Sequence, residues 1–232
     1  MVNCGELRNF GLLSMAKRVL ILGATGRTGQ HAIAMALAKN YQVVALVRNP
    51  GKLGAKEGLT IIEGSPTNIS DVRKAIKGCD AVLSLLSPLN RSEAISLRKI
   101  DRPQVLKSSI RNVLQVMPNF GVKRIIVLST VGAGDSWQYA PWYVKLLVRL
   151  TNFKVIFNDH NAQEELIRLS GTNWTIVRPV GLNENRAAGD VVVSYNRTPK
   201  PFQMSRQVLA KFVIEELYSD TYVHKAPMLA EK

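Results

Sequence analysis

Short apolar runs alternate along the chain with longer stretches in which apolar residues recur every three or four positions. Val19-Leu20-Ile21-Leu22, Val43-Val44-Ala45-Leu46-Val47 and Ile125-Ile126-Val127-Leu128 carry no polar residue toward either face. Strands of a parallel sheet covered on both sides read this way. Between them, Ile33, Ala34, Leu37 and Ala38 repeat at helical spacing, as do Ile110, Val113, Leu114 and Met117. The pattern predicts strands at 17–22, 42–47, 59–63, 80–86, 123–128, 175–177 and 191–195, with a last one near 223–228. It predicts helices at 28–39, 69–77 (capped by Asn68), 103–119, 142–150, 159–169 and 205–217. Strands alternating with helices imply an α/β fold, a Rossmann-type doubly wound parallel sheet with helices on both faces. Residues 183–204, with Asn183, Asn185, Gly189, Pro199 and Pro201, are loop-rich and are expected to form a small C-terminal substrate lobe.

The first strand runs directly into Gly23-Ala24-Thr25-Gly26-Arg27-Thr28-Gly29, and that turn opens a helix. Three positions there need a missing side chain: one for the tight turn, one for backbone approach to a pyrophosphate, one for close helix–strand packing. The helix N-terminus then offers free N–H groups and the positive end of its dipole to phosphates. Gly23, Thr25, Gly26, Arg27, Thr28 and Gly29 are therefore the leading cofactor-binding candidates, and the implied ligand is a nicotinamide dinucleotide. NAD-preferring proteins place an acid near the end of the second strand to hold the ribose 2′-OH. Here that strand ends Val47-Arg48-Asn49-Pro50-Gly51-Lys52, without one. Arg27, Arg48 and Lys52 would instead meet a 2′-phosphate, so NADP(H) is expected over NAD(H).

Composition narrows the rest. The chain has 232 residues, 31 Lys and Arg against 17 Asp and Glu, a net charge of +14 and two cysteines. That length suits one domain at 16–232, with 1–15 expected as a flexible extension before the start-like Met15-Ala16-Lys17-Arg18. Cys4 and Cys79 make neither a disulfide framework nor a metal site, and Cys79 reads as a core thiol in a reducing, cytoplasmic setting. No apolar stretch approaches the roughly 20 residues of a membrane span, and no signal peptide is evident. Basic residues gather at Arg91, Arg98, Lys99, Arg102, Lys107 and Arg111, with Lys145, Arg149 and Lys154 further on. No nucleic-acid motif accompanies them, so they are read as a solvated basic surface rather than a nucleic-acid footprint. Trp142-Tyr143 and Trp174 are read as core or interface, and His31 and His224 as structural. Monomer and homodimer both stay open.

Gly-Ala-Thr-Gly-x-Thr-Gly, the Val-Arg-Asn-Pro strand end, Ile126-Val127-Leu128-Ser129-Thr130 and Trp174-Thr175-Ile176-Val177-Arg178-Pro179 together resemble the atypical short-chain dehydrogenase/reductase group. Within it the chain is similar to NAD(P)H-binding proteins of the biliverdin reductase B (flavin reductase) and NmrA-like type, over about residues 16–229. The resemblance implies a cofactor lying across the carboxyl ends of the strands, near Leu86, with nicotinamide-side contacts from Pro179 and Val180-Gly181-Leu182. It also implies a place for the adenine amino group beside Gly64-Ser65, where many relatives carry an Asp and this chain offers only Ser65. The main branch of the superfamily works with Tyr-x-x-x-Lys. This chain has no such pair: the Lys position falls on His160 and the Tyr position on Ile156. Asn158-Asp159-His160 resembles the Asp-Asp-His stretch of the biliverdin reductase B type.

A missing tyrosine constrains the reaction. Hydride transfer to a simple ketone leaves a basic alkoxide that needs a well-placed acid. Transfer to a flavin, quinone or conjugated tetrapyrrole leaves a delocalised, less basic anion that solvent can protonate. The expected function is an NADPH-dependent oxidoreductase passing hydride to a small conjugated acceptor. Ser129 or Thr130 would contact that acceptor, and His160 would orient the ribose or relay a proton. The alternative is a non-catalytic NmrA-like redox sensor acting through a protein partner, which the missing Tyr–Lys pair fits equally. An isomerase or epimerase is disfavoured because those reactions also use the tyrosine.

Overall fold

The computed structural model describes residues 17–89, 93–94, 96, 104–185 and 189–232. The expected N-terminal extension, Arg91, Arg98, Lys99 and Arg102 lie outside them. Strands β1 (Arg18–Leu22), β2 (Gln42–Val47), β3 (Leu59–Glu63), β4 (Ala81–Ser84), β5 (Arg124–Leu128) and β6 (Asn173–Pro179) are all mutually parallel. Among the described residues the main sheet runs β3-β2-β1-β4-β5-β6-β10-β8, with β8 at Val191–Ser194 and β10 at Met228–Glu231. Order reverses between β1 and β4, and in such sheets ligands bind beyond the carboxyl ends of the strands at that switch point.

Alternation along β1 assigns its residues to two cores. Val19 and Ile21 face a layer formed by α1 (Arg27–Ala38) and α6 (Arg206–Glu215). Leu20 and Leu22 face a layer formed by α2 (Ile69–Ala75), α3 (Val105–Val116) and Ile167 of α5 (Phe153–Arg168). All four β1 side chains are fully buried, which is why the strand reads as an unbroken apolar run. Helix α4 (Trp142–Leu150) packs beside α5. In the loop-rich region expected to form the lobe, β7 (Leu182–Asn183) and β9 (Met204–Ser205) pair in parallel, while β8 extends the main sheet antiparallel to β10.

Asn68 caps α2 as expected, its side chain accepting from the Ser70 N–H at 2.9 Å. Three boundaries differ most, the others shifting by no more than two residues. The helix expected at 103–119 ends at Val116 and tightens into a 3-10 turn around Pro118, which has no N–H to continue the α-helical ladder. The helix expected from residue 159 begins at Phe153, so His160 lies within the helix rather than at its start. The last strand begins at Met228, not near Val223, because turns with a left-handed His224 (φ 57°) fill the interval.

Candidate functional site

The glycine loop sits at the switch point. Gly23 adopts φ +80°, and a Cβ there would come within 2.5 Å of the Leu85 carbonyl oxygen that follows β4. A Cβ on Gly29 would collide with the Gly23 carbonyl and lie 2.8 Å from the Ala24 Cα. Two of the three glycines thus seat α1 tightly against β1 and β4. Gly26 differs: it is exposed, and its Cβ would meet only the Gly23 oxygen, at 3.1 Å. It is also the N-cap of α1, with no side-chain cap bond and no acid in the first turn. The first-turn N–H groups have no intrahelical acceptor, and the dipole end is positive. This bare cradle fits a dinucleotide pyrophosphate.

The other cofactor candidates lie around it. Leu86 is half-buried beside Gly23, its backbone nitrogen 3.0 Å from where a Gly23 Cβ would sit. Thr25 is half-buried and Thr28 is buried at the start of α1. Arg48 is exposed just beyond β2. Arg27 donates to Glu184 at 3.0 Å, and Arg206 donates to the same oxygen at 2.8 Å. The Arg27 head is therefore already engaged within the fold, on a carboxylate it shares with Arg206. Ser65 is half-buried; its N–H donates to Asp71 at 3.0 Å, and its hydroxyl pairs with Thr67 at 2.8 Å. Pro179 accepts from the Val131 N–H and Val180 donates to Leu229 O, so both backbone groups are occupied within the fold.

On the acceptor side, the structure reveals a cluster the sequence reading did not foresee. Ser129, 4% exposed at the end of β5, donates its hydroxyl to Glu164 Oε1 at 2.6 Å. Arg178, buried on β6, donates from Nε to the same oxygen at 2.9 Å and from Nη2 to both Glu164 Oε2 and Asp135. Arg168 reaches Asp135 at 3.2 Å from the surface. Only a glycine fits at position 134, where a Cβ would sit 2.5 Å from Glu164 Oε2 and φ is +56°. Burial opposes ionisation of Asp135, but the Arg178 hydrogen bond and charge outweigh it and hold the carboxyl below its usual range. The signal for this cluster was an arginine inside an otherwise apolar strand, which must find a buried anion.

Helix α5 brings the cluster together. Gln163 donates to Leu128 O at 3.0 Å and Asn161 accepts from the Gly134 N–H at 2.7 Å. Asp159, one turn before Gln163, accepts from the backbone N–H groups of Leu106 and Lys107 at 2.8 and 3.0 Å. It caps the neighbouring helix α3, whose own cap residue supplies no side chain. His160 precedes Glu164 by one turn on the same face. It is buried, its Nδ1 has no partner among the described residues, and burial pushes its pKa down to about 4. The ring is therefore neutral near pH 7. Thr130 is half-buried, its hydroxyl only 3.4 Å from Val131 O.

His224 Nε2 lies 3.0 Å from Thr172 O, a structural role. Cys79 is buried and its thiol is pushed up to about 12 by burial. Among the described residues no helix is long and apolar enough to cross a membrane.

Several known proteins are similar to this chain in sequence or in fold. An uncharacterised sugar epimerase, YhfK of Bacillus subtilis, is 26% identical over 225 residues, covering 92% of this chain and 94% of its own. An uncharacterised chloroplastic protein of Arabidopsis thaliana is 26% identical over 213 residues, covering 88% of this chain and 73% of its own. Among solved structures, ChuY, an anaerobilin reductase from Escherichia coli O157:H7, superposes with a TM-score of 0.77 at 22% identity, over 93% of this chain and 97% of its own. A short-chain dehydrogenase/reductase from Veillonella parvula in complex with NADP gives 0.72 at 20% identity, over 94% and 95%. A family model described as NAD(P)H-binding matches residues 23–220, from the first glycine of the loop to beyond α6. With its glycine loop at the switch point of a Rossmann-type sheet, the chain belongs to this NAD(P)H-binding family.

Proposed function

We propose that the protein is an NADPH-dependent reductase passing hydride to a small conjugated acceptor, of the flavin or quinone class, at the carboxyl ends of β5 and β6. The observation that carries this reading is the state of the proton donors beside the strand ends. Ser129 spends its single hydroxyl proton on Glu164. His160 is buried and neutral. No tyrosine stands four residues before a lysine anywhere in the chain. A site without a strong acid suits an acceptor whose reduced anion is delocalised.

When bound, the dinucleotide supplies the hydride. The bare N-terminus of α1 would hold its pyrophosphate, and Arg48 would meet a 2′-phosphate at a strand end that carries no acid of its own. The Thr130 hydroxyl, weakly engaged, would hydrogen-bond the acceptor. The Ser129–Glu164–Arg178 cluster would keep the end of β5 rigid beneath it. The relatives support a reductase in different degrees: ChuY is named as one, whereas YhfK is named as an epimerase. Epimerisation needs a base, and the chain offers no tyrosine at the usual position.

The committed Ser129 hydroxyl and buried His160 also favour a second reading, a non-catalytic redox sensor that binds the dinucleotide and signals through a protein partner. Steady-state NADPH oxidation with FMN, riboflavin and a water-soluble quinone separates the two. Turnover on any of them supports the reductase. Tight NADPH binding with no turnover on all three sinks it in favour of the sensor.

A further inference from the structure

Helix α4 is the least buried apolar surface among the described residues. Trp142 is 75% exposed, Leu150 62%, and Tyr143, Leu146 and Leu147 are exposed beside them. At about 100° per residue these five side chains cover about 140° of the helix circumference. Val148, on the opposite side, is the position that enters the core. The exposed arc is continuous with Phe202, whose ring meets Tyr143 edge-on at 5.8 Å between centroids. Trp142 and Tyr143, expected in the core or at an interface, are not in the core. Contiguous exposure of this kind marks an interaction site rather than scattered surface residues.

The charges around the arc say what would cover it. Lys145 and Arg149 fall along one edge of the arc, and Lys154 follows on the next helix. No acidic residue lies between Asp135 and Asp159, and the chain as a whole carries +14. An apolar face with Trp and Leu, bordered by cations and free of acids, is the pattern of a helix lying in the plane of a bilayer surface. The exposed Arg149 and Lys154 stems can lie along the apolar boundary while their heads reach anionic headgroups, and half-buried Lys145, whose Nζ donates to Gln138 O at 3.3 Å, adds its charge from the edge of the arc. We propose that α4, with Phe202, docks the protein onto an anionic lipid surface. A second copy of this chain also carries +14, and that like charge opposes a self-interface.

Phe202 also lies against the loop after β6: its backbone oxygen is 3.3 Å from where a Gly181 Cβ would sit. Docking would therefore bring the bilayer close to the strand ends. The docking itself does not depend on the reductase reading.

The test uses the full chain and extruded vesicles of phosphatidylcholine alone or with about one-third phosphatidylglycerol, in low and physiological salt. Co-sedimentation with the anionic vesicles is expected, weakened by salt and absent from neutral ones. Trp142→Ser/Leu150→Ser should lower the partition coefficient by at least about tenfold. Lys145→Glu/Arg149→Glu should do the same, both with unchanged circular dichroism, since all four side chains stand at or near the surface. Equal partition of wild type and variants would overturn the proposal, as would no binding to anionic vesicles. A dimer in analytical ultracentrifugation that the Trp142→Ser/Leu150→Ser variant dissociates would also overturn it, because the face would then be a self-interface.

Discussion

Ser129 donates its hydroxyl to Glu164 across 2.6 Å, and Glu164 in turn shares both carboxylate oxygens with Arg178. The carboxylate and the guanidinium are 2% and 3% exposed. Removing one partner leaves an uncompensated buried charge. Glu164→Ala should therefore destabilise the fold by about 3–5 kcal/mol. Asp135 meets the same arginine, but its side chain is 68% exposed. Asp135→Ala should cost less than about 1 kcal/mol. Urea unfolding followed by circular dichroism measures both; similar losses in the two variants would show that the cluster is not organised around Glu164.

The glycine loop separates packing from binding. Gly29→Ala would press its methyl into the Gly23 carbonyl, so it should lose stability and cofactor together. Gly26→Ala faces only one 3.1 Å contact, and Gly26 has φ −73° and ψ 163°, a conformation alanine adopts freely. It should cost about 1 kcal/mol or less in stability, yet weaken NADPH binding by about tenfold or more because the methyl occupies the pyrophosphate approach. Thermal melts beside a binding titration would decide, and unchanged affinity in Gly26→Ala would count against the phosphate cradle.

Arg48 is exposed and has no acid near it in sequence, whereas Arg27 already pairs with Glu184. Arg48→Ala should lower NADPH affinity by about tenfold and NADH affinity by no more than about twofold. Equal losses for the two cofactors would place Arg48 away from the 2′-phosphate.

His160 makes stability depend on pH in a defined window. Its pKa is about 4 in the folded chain against an ordinary value of 6.5. Between these values the unfolded chain binds the proton and the folded chain does not, so stability falls as pH drops from about 6.5 toward 4. The full effect is about 3 kcal/mol, with none above the upper limit. Unfolding midpoints at a series of pH values should show this slope in the wild type and a shallower one in His160→Gln. Identical slopes would mean that other groups carry the acid sensitivity.

The parallel sheet was legible because β1, β2 and β5 are buried on both faces, leaving no polar position to blur their edges. The glycine loop was legible for a related reason, since backbone crowding at Gly23 and Gly29 admits no side chain and leaves its mark in seven consecutive residues. The Ser129–Glu164–Arg178–Asp135 cluster was not, because its members come from four segments and only Arg178, a charge inside an apolar strand, stands out locally. Asp159 misled the boundary of α5: an acid that suggested a helix start in fact caps α3, more than fifty residues earlier in the chain. Trp142, read as core or interface, lies at the surface: among the described residues Val148 is the position of α4 that enters the core, and Trp142 is 75% exposed.

The central claim is that the bare N-terminus of α1 binds a nicotinamide dinucleotide and prefers NADPH. Titrating NADPH and NADH into the full-length protein by calorimetry tests it most directly. Saturable binding of NADPH, tighter than NADH by about tenfold or more, is the predicted result. Failure to bind either dinucleotide would contradict the account at its foundation, and equal affinity for both would contradict the 2′-phosphate assignment.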